Sequence, residues 1–178
     1  LAAIGGDPSG ETFNGGEARV FGLEFVGGYN LGLPLDASFS IPLEVVYTYT
    51  NAEFSNTFDS DFGAWGEVEE GFKLPYLPEH KLALNAGVED VYGFDLRLTG
   101  RFTDELRTVA GSGDPAPSNR IDSHFVMDLS AEYALSSRAR IFSSIRNLAD
   151  NEYAVARRPA GLRPGMPRTF LIGVKTSF

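Results

Sequence analysis

The sequence predicts an all-β fold, an antiparallel up-and-down transmembrane β-barrel. Three observations lead to this expectation. Apolar and polar residues alternate with a period of two in seven segments. These segments run for about 10 residues, the length at which a tilted strand crosses a bilayer. The connections between them alternate between short and long, as they do in outer-membrane barrels. We expect a single barrel region over residues 1–178, without a plug domain.

The strand pattern is clearest in the first segment, residues 17–29. Phe21, Leu23, Phe25 and Tyr29 share one face there. The second segment, residues 39–52, alternates in the same way, although Pro42 removes one hydrogen-bond donor. The other predicted strands are residues 81–89, 94–103, 123–133, 139–147 and 168–178. With residues 1–4 as the tail of an earlier strand, the chain supplies seven or eight strands.

The connections define the two ends of the predicted sheet. Residues 30–36, 90–93 and 134–138 form short connections. Residues 53–80, 104–122 and 148–167 form long ones, rich in Gly, Pro, Ser, Asn and charged residues. Outer-membrane barrels place short turns in the periplasm and long loops outside the cell. The asymmetry therefore predicts the orientation of the chain in the membrane.

Aromatic residues cluster near both ends, where barrel walls carry aromatic belts. The predicted interface residues at the short-turn end are Tyr29, Phe39, Tyr92, Tyr133 and Phe178. Those near the long loops are Phe54, Phe102, Phe125 and Phe170. The opposite strand faces carry charges such as Asp95, Arg97 and Arg101, which suit a watery lumen with cross-strand ion pairs. A soluble ligand-binding barrel, with its apolar face inward, remains the alternative at this point.

Composition excludes several other classes. The net charge of −9 argues against a nucleic-acid partner, which would need a basic face. The chain has no run of about 18 apolar residues, so no membrane-spanning helix is predicted. Cysteine is absent, and His80 and His124 lack metal-ligand spacing, so neither a metal site nor a cofactor is expected. No Gly-x-Ser-x-Gly elbow occurs, so we expect no enzyme activity.

Four stretches resemble the C-terminal barrel region of TonB-dependent receptors. Residues 14–24 resemble the strand entry after an outer loop, residues 47–52 the repeated YTYT-x-A strand, and residues 74–80 the P-x-x-P-x-H entry to the next strand. Residues 145–153 and 164–169 resemble the closing motif N-L-F-D-x-x-Y … G-x-P-R-T, with Ala149 in place of the usual Phe. The ferric-citrate-type subgroup is the most similar.

The resemblance implies a receptor in the bacterial outer membrane that imports a ferric chelate with energy from TonB, passed to an N-terminal plug. It also implies a complete barrel of 22 strands, of which this chain would supply about the last eight. Because the chain begins at Leu1 rather than Met, we expect a segment of a longer receptor. A small stand-alone barrel with a structural or adhesive role remains an alternative, since eight strands can close.

Two further expectations concern individual residues. Arg157, Arg158 and Arg163 in the last long loop are candidate ligands for an anionic chelate, because guanidinium groups bind carboxylates. A solvated loop is the alternative reading of these arginines. The amphipathic last strand, ending at Phe178, resembles the signal read by the barrel-assembly machinery, so Phe178 is the candidate assembly residue. The expected partners are therefore this machinery, outer-membrane lipid, TonB and the chelate.

Overall fold

Seven long strands run up and down, in chain order, through a single antiparallel sheet. A computed structural model describes residues 16–61, 64–158 and 161–177. The strands are β1 (Ala18–Asn30), β2 (Pro42–Phe54), β3 (His80–Val91), β4 (Phe94–Thr103), β5 (His124–Ser136), β6 (Ala139–Arg146) and β7 (Thr169–Thr176). The predicted all-β antiparallel fold is confirmed. The possible strand tail at residues 1–4 lies outside the described residues.

The second strand begins later than predicted, at Pro42 rather than Phe39. The amide oxygen of Asn30 accepts the N–H of Ile41, at 2.8 Å, and so interrupts the regular pairing at this point. Ser40 still pairs with Glu89 as an isolated bridge. At its other end β2 extends to Phe54, two residues beyond the prediction.

The strand register gathers the apolar side chains on one face of the sheet. One line of directly paired residues crosses all seven strands, and every residue in it is apolar or aromatic: Tyr29, Leu43, Ala86, Leu98, Leu129, Ile145 and Phe170. The line starts at the short-turn end of β1 and finishes at the long-loop end of β7. The strands are therefore staggered in the sense that a tilted barrel wall requires.

The opposite face is polar and carries cross-strand ion pairs. Arg101 contacts Asp128 at 2.6 Å and Arg97 contacts Glu89 at 2.8 Å. Arg140 lies between Glu132, at 2.6 Å, and Asp95, at 3.6 Å. The side chains of these pairs remain partly exposed, so each pair adds little stability. They give the sheet one wet face and one apolar face.

The long connections are folded rather than extended coil. They contain three short strand pairs and one 3-10 turn: Phe58–Ser60 with Gly66–Val68, Leu106–Arg107 with Arg120–Ile121, Ala154–Ala156 with Arg163–Pro164, and the turn Pro117–Asn119. Val68, Ile121 and Thr108 are almost completely buried within them. Much of the buried interior of the described chain therefore lies in the loops at one end of the sheet.

Phe54 was expected in the aromatic belt near the long loops, and this expectation is wrong. Its side chain is 3% exposed and packs against Phe58 and Trp65, with ring centroids 5.3 and 5.5 Å away. Phe54 shares its strand face with Thr50 and Ala52, on the polar side of β2. The following loop folds over that side and covers the ring.

The sheet is open in the part of the chain that the structure describes. Strands β1 and β7 form its two edges and do not pair with each other. No helix among the described residues combines the length and the apolar character needed to cross a membrane.

Candidate functional site

Three outer loops meet at the long-loop end of the sheet: residues 55–79, 104–123 and 147–168. Tyr76 in the first loop connects all three. Its backbone N–H donates to the Arg107 carbonyl at 2.9 Å, and its hydroxyl accepts the Arg158 N–H at 2.9 Å. Tyr76 has a φ of 62°, a conformation that residues with a side chain rarely adopt. The loops therefore form one connected cap on the sheet, the outer cap.

A cleft of about 820 Å³ lies between the second and third outer loops. Its volume falls within the range typical of small-molecule sites. The ring of His124 stacks on Tyr153 at one wall, with ring centroids 4.7 Å apart. Gly165 allows this arrangement, because a Cβ there would lie 2.1 Å from the Tyr153 ring. The cleft is thus a preformed space with an aromatic wall.

The charges around the cleft are mixed. Arg120 and Arg157 line it, together with Asp122, Asp150 and Glu152. Arg120 is paired with Asp122 at 2.6 Å, and it also lies 3.8 Å from Glu105. Arg157 donates from Nε to the Arg120 carbonyl at 2.7 Å. Within the described chain, the Arg157 terminal nitrogens make no hydrogen bond or ion pair, so they can reach a ligand.

The structure brings only one of the three predicted arginines into this cleft. Arg158 and Arg163 are exposed, and the Arg163 guanidinium donates to the Arg158 carbonyl at 3.4 Å. Both lie on the rim of the third loop and neither lines the cleft. The sequence did not single out Arg120, because the short pairing that places Arg120–Ile121 beside the third loop has no distinctive pattern.

Buried Asn147 fixes the root of the third loop. Its side-chain amide donates to the carbonyls of Asn151 and Met166, at 2.9 and 3.0 Å, and accepts the Asn151 N–H at 3.0 Å. Its own N–H donates to the Asp128 carboxylate at 2.9 Å. Its φ is 50°, a conformation that Asn tolerates better than most residues. This cluster holds both ends of the loop, and so the cleft wall, against β5.

A second, smaller cleft of about 340 Å³ separates the first and second loops. Lys73 lies at its edge and donates to Glu79 at 2.7 Å, a hydrogen bond that raises the pKa of the Lys73 ammonium. Arg107 is buried, and desolvation lowers the pKa of its guanidinium. Arg107 donates to the Gly113 carbonyl. Both cations thus serve contacts within the outer cap.

The predicted interface aromatics occupy different positions at the short-turn end. Tyr29 and Tyr133 stand on the apolar face and are 57% and 45% exposed. Tyr92 is almost fully exposed in a turn, and Phe39 lies in a bend before β2. Phe178 lies outside the described residues, so its roles at the interface and in assembly stay predictions.

Among the described residues, no group of three or more acidic or histidine side chains could hold a metal ion.

Comparison with known proteins identifies the family. Residues 2–148 match the family described as TonB dependent receptor-like, beta-barrel. The chain belongs to this family. The ferrichrome outer membrane transporter and phage receptor of Escherichia coli strain K12 is 31% identical to this TonB-dependent receptor barrel over 160 residues. That match covers 84% of this chain and 19% of the relative, so the chain spans about a fifth of the relative's length.

Solved structures show the same fold. The unliganded ferric citrate transporter FecA superposes with a TM-score of 0.68 at 20% identity, covering 89% of this chain and 24% of the other. The closed form of the ferric-catecholate import receptor Fiu from E. coli K12 gives 0.56 at 16% identity, covering 100% and 30%. Family and relative place this TonB-dependent receptor barrel in the bacterial outer membrane, among receptors rather than enzymes, in agreement with the sequence analysis.

Proposed function

We propose that this chain is the C-terminal wall and outer cap of a receptor that imports a ferric chelate with energy from TonB. In this proposal the apolar face contacts lipid and the polar face lines the lumen. The observation that carries it is the two-faced, staggered sheet with its long loops folded together at one end. The relatives, named for ferrichrome, ferric citrate and ferric catecholates, support the chelate as the ligand class.

The spacing of aromatic residues on the apolar face supports lipid contact. Phe94 opposes Tyr133 near the short turns, and Phe102 opposes Phe125 near the long loops. The two pairs are eight residues apart, about 26 Å along the strands. At the tilt of about 40° that barrel strands have, this length spans about 20 Å across the membrane. Outer-membrane barrels have an apolar band about 25 Å tall between two aromatic girdles. In this proposal the two pairs lie at the inner margins of the two aromatic girdles on β4 and β5.

Within the outer cap, we assign ligand contact to the cleft wall formed by Arg157, His124 and Tyr153. Among the described residues, the two terminal guanidinium nitrogens of Arg157 have no partner, and they suit the carboxylate, catecholate or hydroxamate oxygens of a chelate. The stacked rings offer an apolar surface beside them. Arg158 and Arg163, on the exposed rim, act at longer range and increase the association rate of an anionic chelate.

The test uses the complete receptor that contains this chain, produced in cells that lack their own ferric-chelate receptors. Uptake of radioactive iron is measured with a citrate, a hydroxamate and a catecholate chelate, in parallel with and without TonB. We expect uptake of at least one chelate, and its loss without TonB. Absence of uptake of all three chelates by a correctly folded receptor would contradict the proposal.

Arg157 provides the sharper test within that receptor. Arg157→Gln should weaken chelate binding by about tenfold, the effect of one lost charge-assisted hydrogen bond. Arg163→Gln is the matched control in the same loop, and it should change the equilibrium affinity much less. Equal effects of the two substitutions on affinity would mean that the cleft does not contact the chelate. The arginines would then belong to a solvated loop.

A further inference from the structure

The connection between β1 and β2 exposes three leucines at the short-turn end of the sheet. Leu31, Leu33 and Leu35 are 37%, 73% and 66% exposed. The other two short connections are two-residue turns, Tyr92–Gly93 and Ser137–Arg138, and neither contains a leucine. An exposed cluster of large apolar side chains is costly in water and usually marks a contact surface.

A dense set of hydrogen bonds holds this turn in shape. The side-chain oxygen of Asn30 accepts the N–H groups of Gly32 and Ile41, at 2.9 and 2.8 Å. The backbone N–H of Leu33 donates to Asn30 at 3.2 Å, and that of Ala37 donates to Gly32 at 3.0 Å. Leu33 and Leu35 are thus held at the surface by an ordered turn.

The leucines continue the apolar face of the sheet. Tyr29 and Leu43 pair directly on that face, and both are exposed. Leu31 follows Tyr29 by two positions and donates its N–H to the Ile41 carbonyl at 2.9 Å, so the apolar row extends past the end of the strand. No charged residue occurs between Asn30 and Asp36. The apolar surface therefore runs without a break from the strands into the turn.

We propose that residues 31–35 form a lipid anchor that enters the inner leaflet of the outer membrane. The occupant is the hydrocarbon of the periplasmic-side phospholipids, and the anchor sets the depth of the β1–β2 hairpin. This inference rests on the proposed orientation, with the apolar face toward lipid and the short turns toward the periplasm. Asp36, immediately after the leucines, marks the boundary with the aqueous phase.

The test measures lipid depth at single positions in the complete receptor, reconstituted in phospholipid vesicles. Leu33→Cys and Leu35→Cys are each labelled with a nitroxide. This chain contains no native cysteine to compete for the label. Collision with oxygen, which concentrates in lipid, is compared with collision with a water-soluble nickel complex. Leu98→Cys, midway along the apolar face of β4, and Ser137→Cys, in a polar short turn, are the controls.

The anchor predicts high oxygen and low nickel accessibility at positions 33 and 35, resembling position 98. Nickel accessibility as high as at position 137 would place the turn in water and overturn the anchor. Protection from both reagents would mean that protein covers the leucines, which also overturns it. High nickel accessibility at position 98 would instead contradict the proposed orientation, so the two failures are distinguishable. Heat-shifted gel migration confirms folding of each variant.

Discussion

At the scale of single residues, Asn147 explains why the closing segment of the sequence needs its particular residues. The side chain is 1% exposed, and every polar atom of its amide has a partner. Asn151 extends the cluster by donating to the Phe125 carbonyl at 2.7 Å. Asp150 accepts the Arg168 N–H at 3.1 Å. The segment therefore ties the ends of β5, β6 and β7 together.

Asn147→Gly should lower the stability of the receptor by about 2–4 kcal/mol, because the three hydrogen bonds of the buried side chain are lost. Glycine accepts the positive φ, so this substitution isolates the side-chain hydrogen bonds. Asn147→Ala should cost about 1 kcal/mol more, since alanine is strained in that conformation. Denaturant midpoints in detergent measure both. Wild-type stability of the glycine variant would show that the cluster contributes nothing to folding.

Tyr76→Phe should loosen the third outer loop without unfolding the sheet. The substitution removes the hydroxyl that accepts the N–H groups of Arg157 and Arg158. We expect faster hydrogen exchange at these two amides, measured on the complete receptor. Tyr47→Phe is the matched control, because its hydroxyl bonds His80 on the apolar face of the sheet, at 2.8 Å. Unchanged exchange in the Tyr76 variant would mean that other contacts hold the loop.

At the scale of elements, the strands followed from the sequence because alternation reports directly on a two-faced sheet. Each of the seven predicted strands is present, with ends shifted by at most three residues. The start of β2 was misplaced because the Asn30 side chain replaces a backbone partner, an interaction that alternation cannot reveal. The outer-cap hairpins were missed since strands of two or three residues are too short to show a period.

The same limit applied to the candidate site. Its arginines could be identified by residue type, but their grouping depends on contacts between loops. Arg157 reaches the cleft because Tyr76 and Arg120 hold it there, and those partners are 81 and 37 positions away in sequence. No local pattern carries such information. Phe54 was misassigned for the same reason, because only the folded loop shows that its ring is covered.

The two faces of β4 allow a direct test of which side meets lipid. Leu98 lies midway between Phe94 and Phe102 on the apolar face, and Thr99 points to the polar face beside Asn85. Leu98→Arg should destabilise the receptor in vesicles by about 2–4 kcal/mol, the cost of a cation near the bilayer midplane. Thr99→Arg should have a much smaller effect. The opposite order of the two effects, measured by denaturant unfolding, would mean that the apolar face points into the barrel.

At the scale of the whole molecule, the open sheet bears on whether the chain can form a barrel by itself. Strand β1 has 13 residues and β7 has 8, and each has one unpaired edge among the described residues. In the hydrocarbon of a membrane no water is available to pair with exposed backbone N–H and C=O groups. Each edge would therefore need a strand from elsewhere in the receptor.

We expect the 178-residue chain alone to fail to form a stable monomeric barrel, whereas the complete receptor folds under the same conditions. Both are refolded into the same detergent, and heat-shifted gel migration and far-UV circular dichroism report on barrel formation. The isolated chain should give oligomers without a heat shift, since unpaired edges associate with other chains. A monomeric, heat-shifted, β-rich species from this chain would instead support the stand-alone barrel.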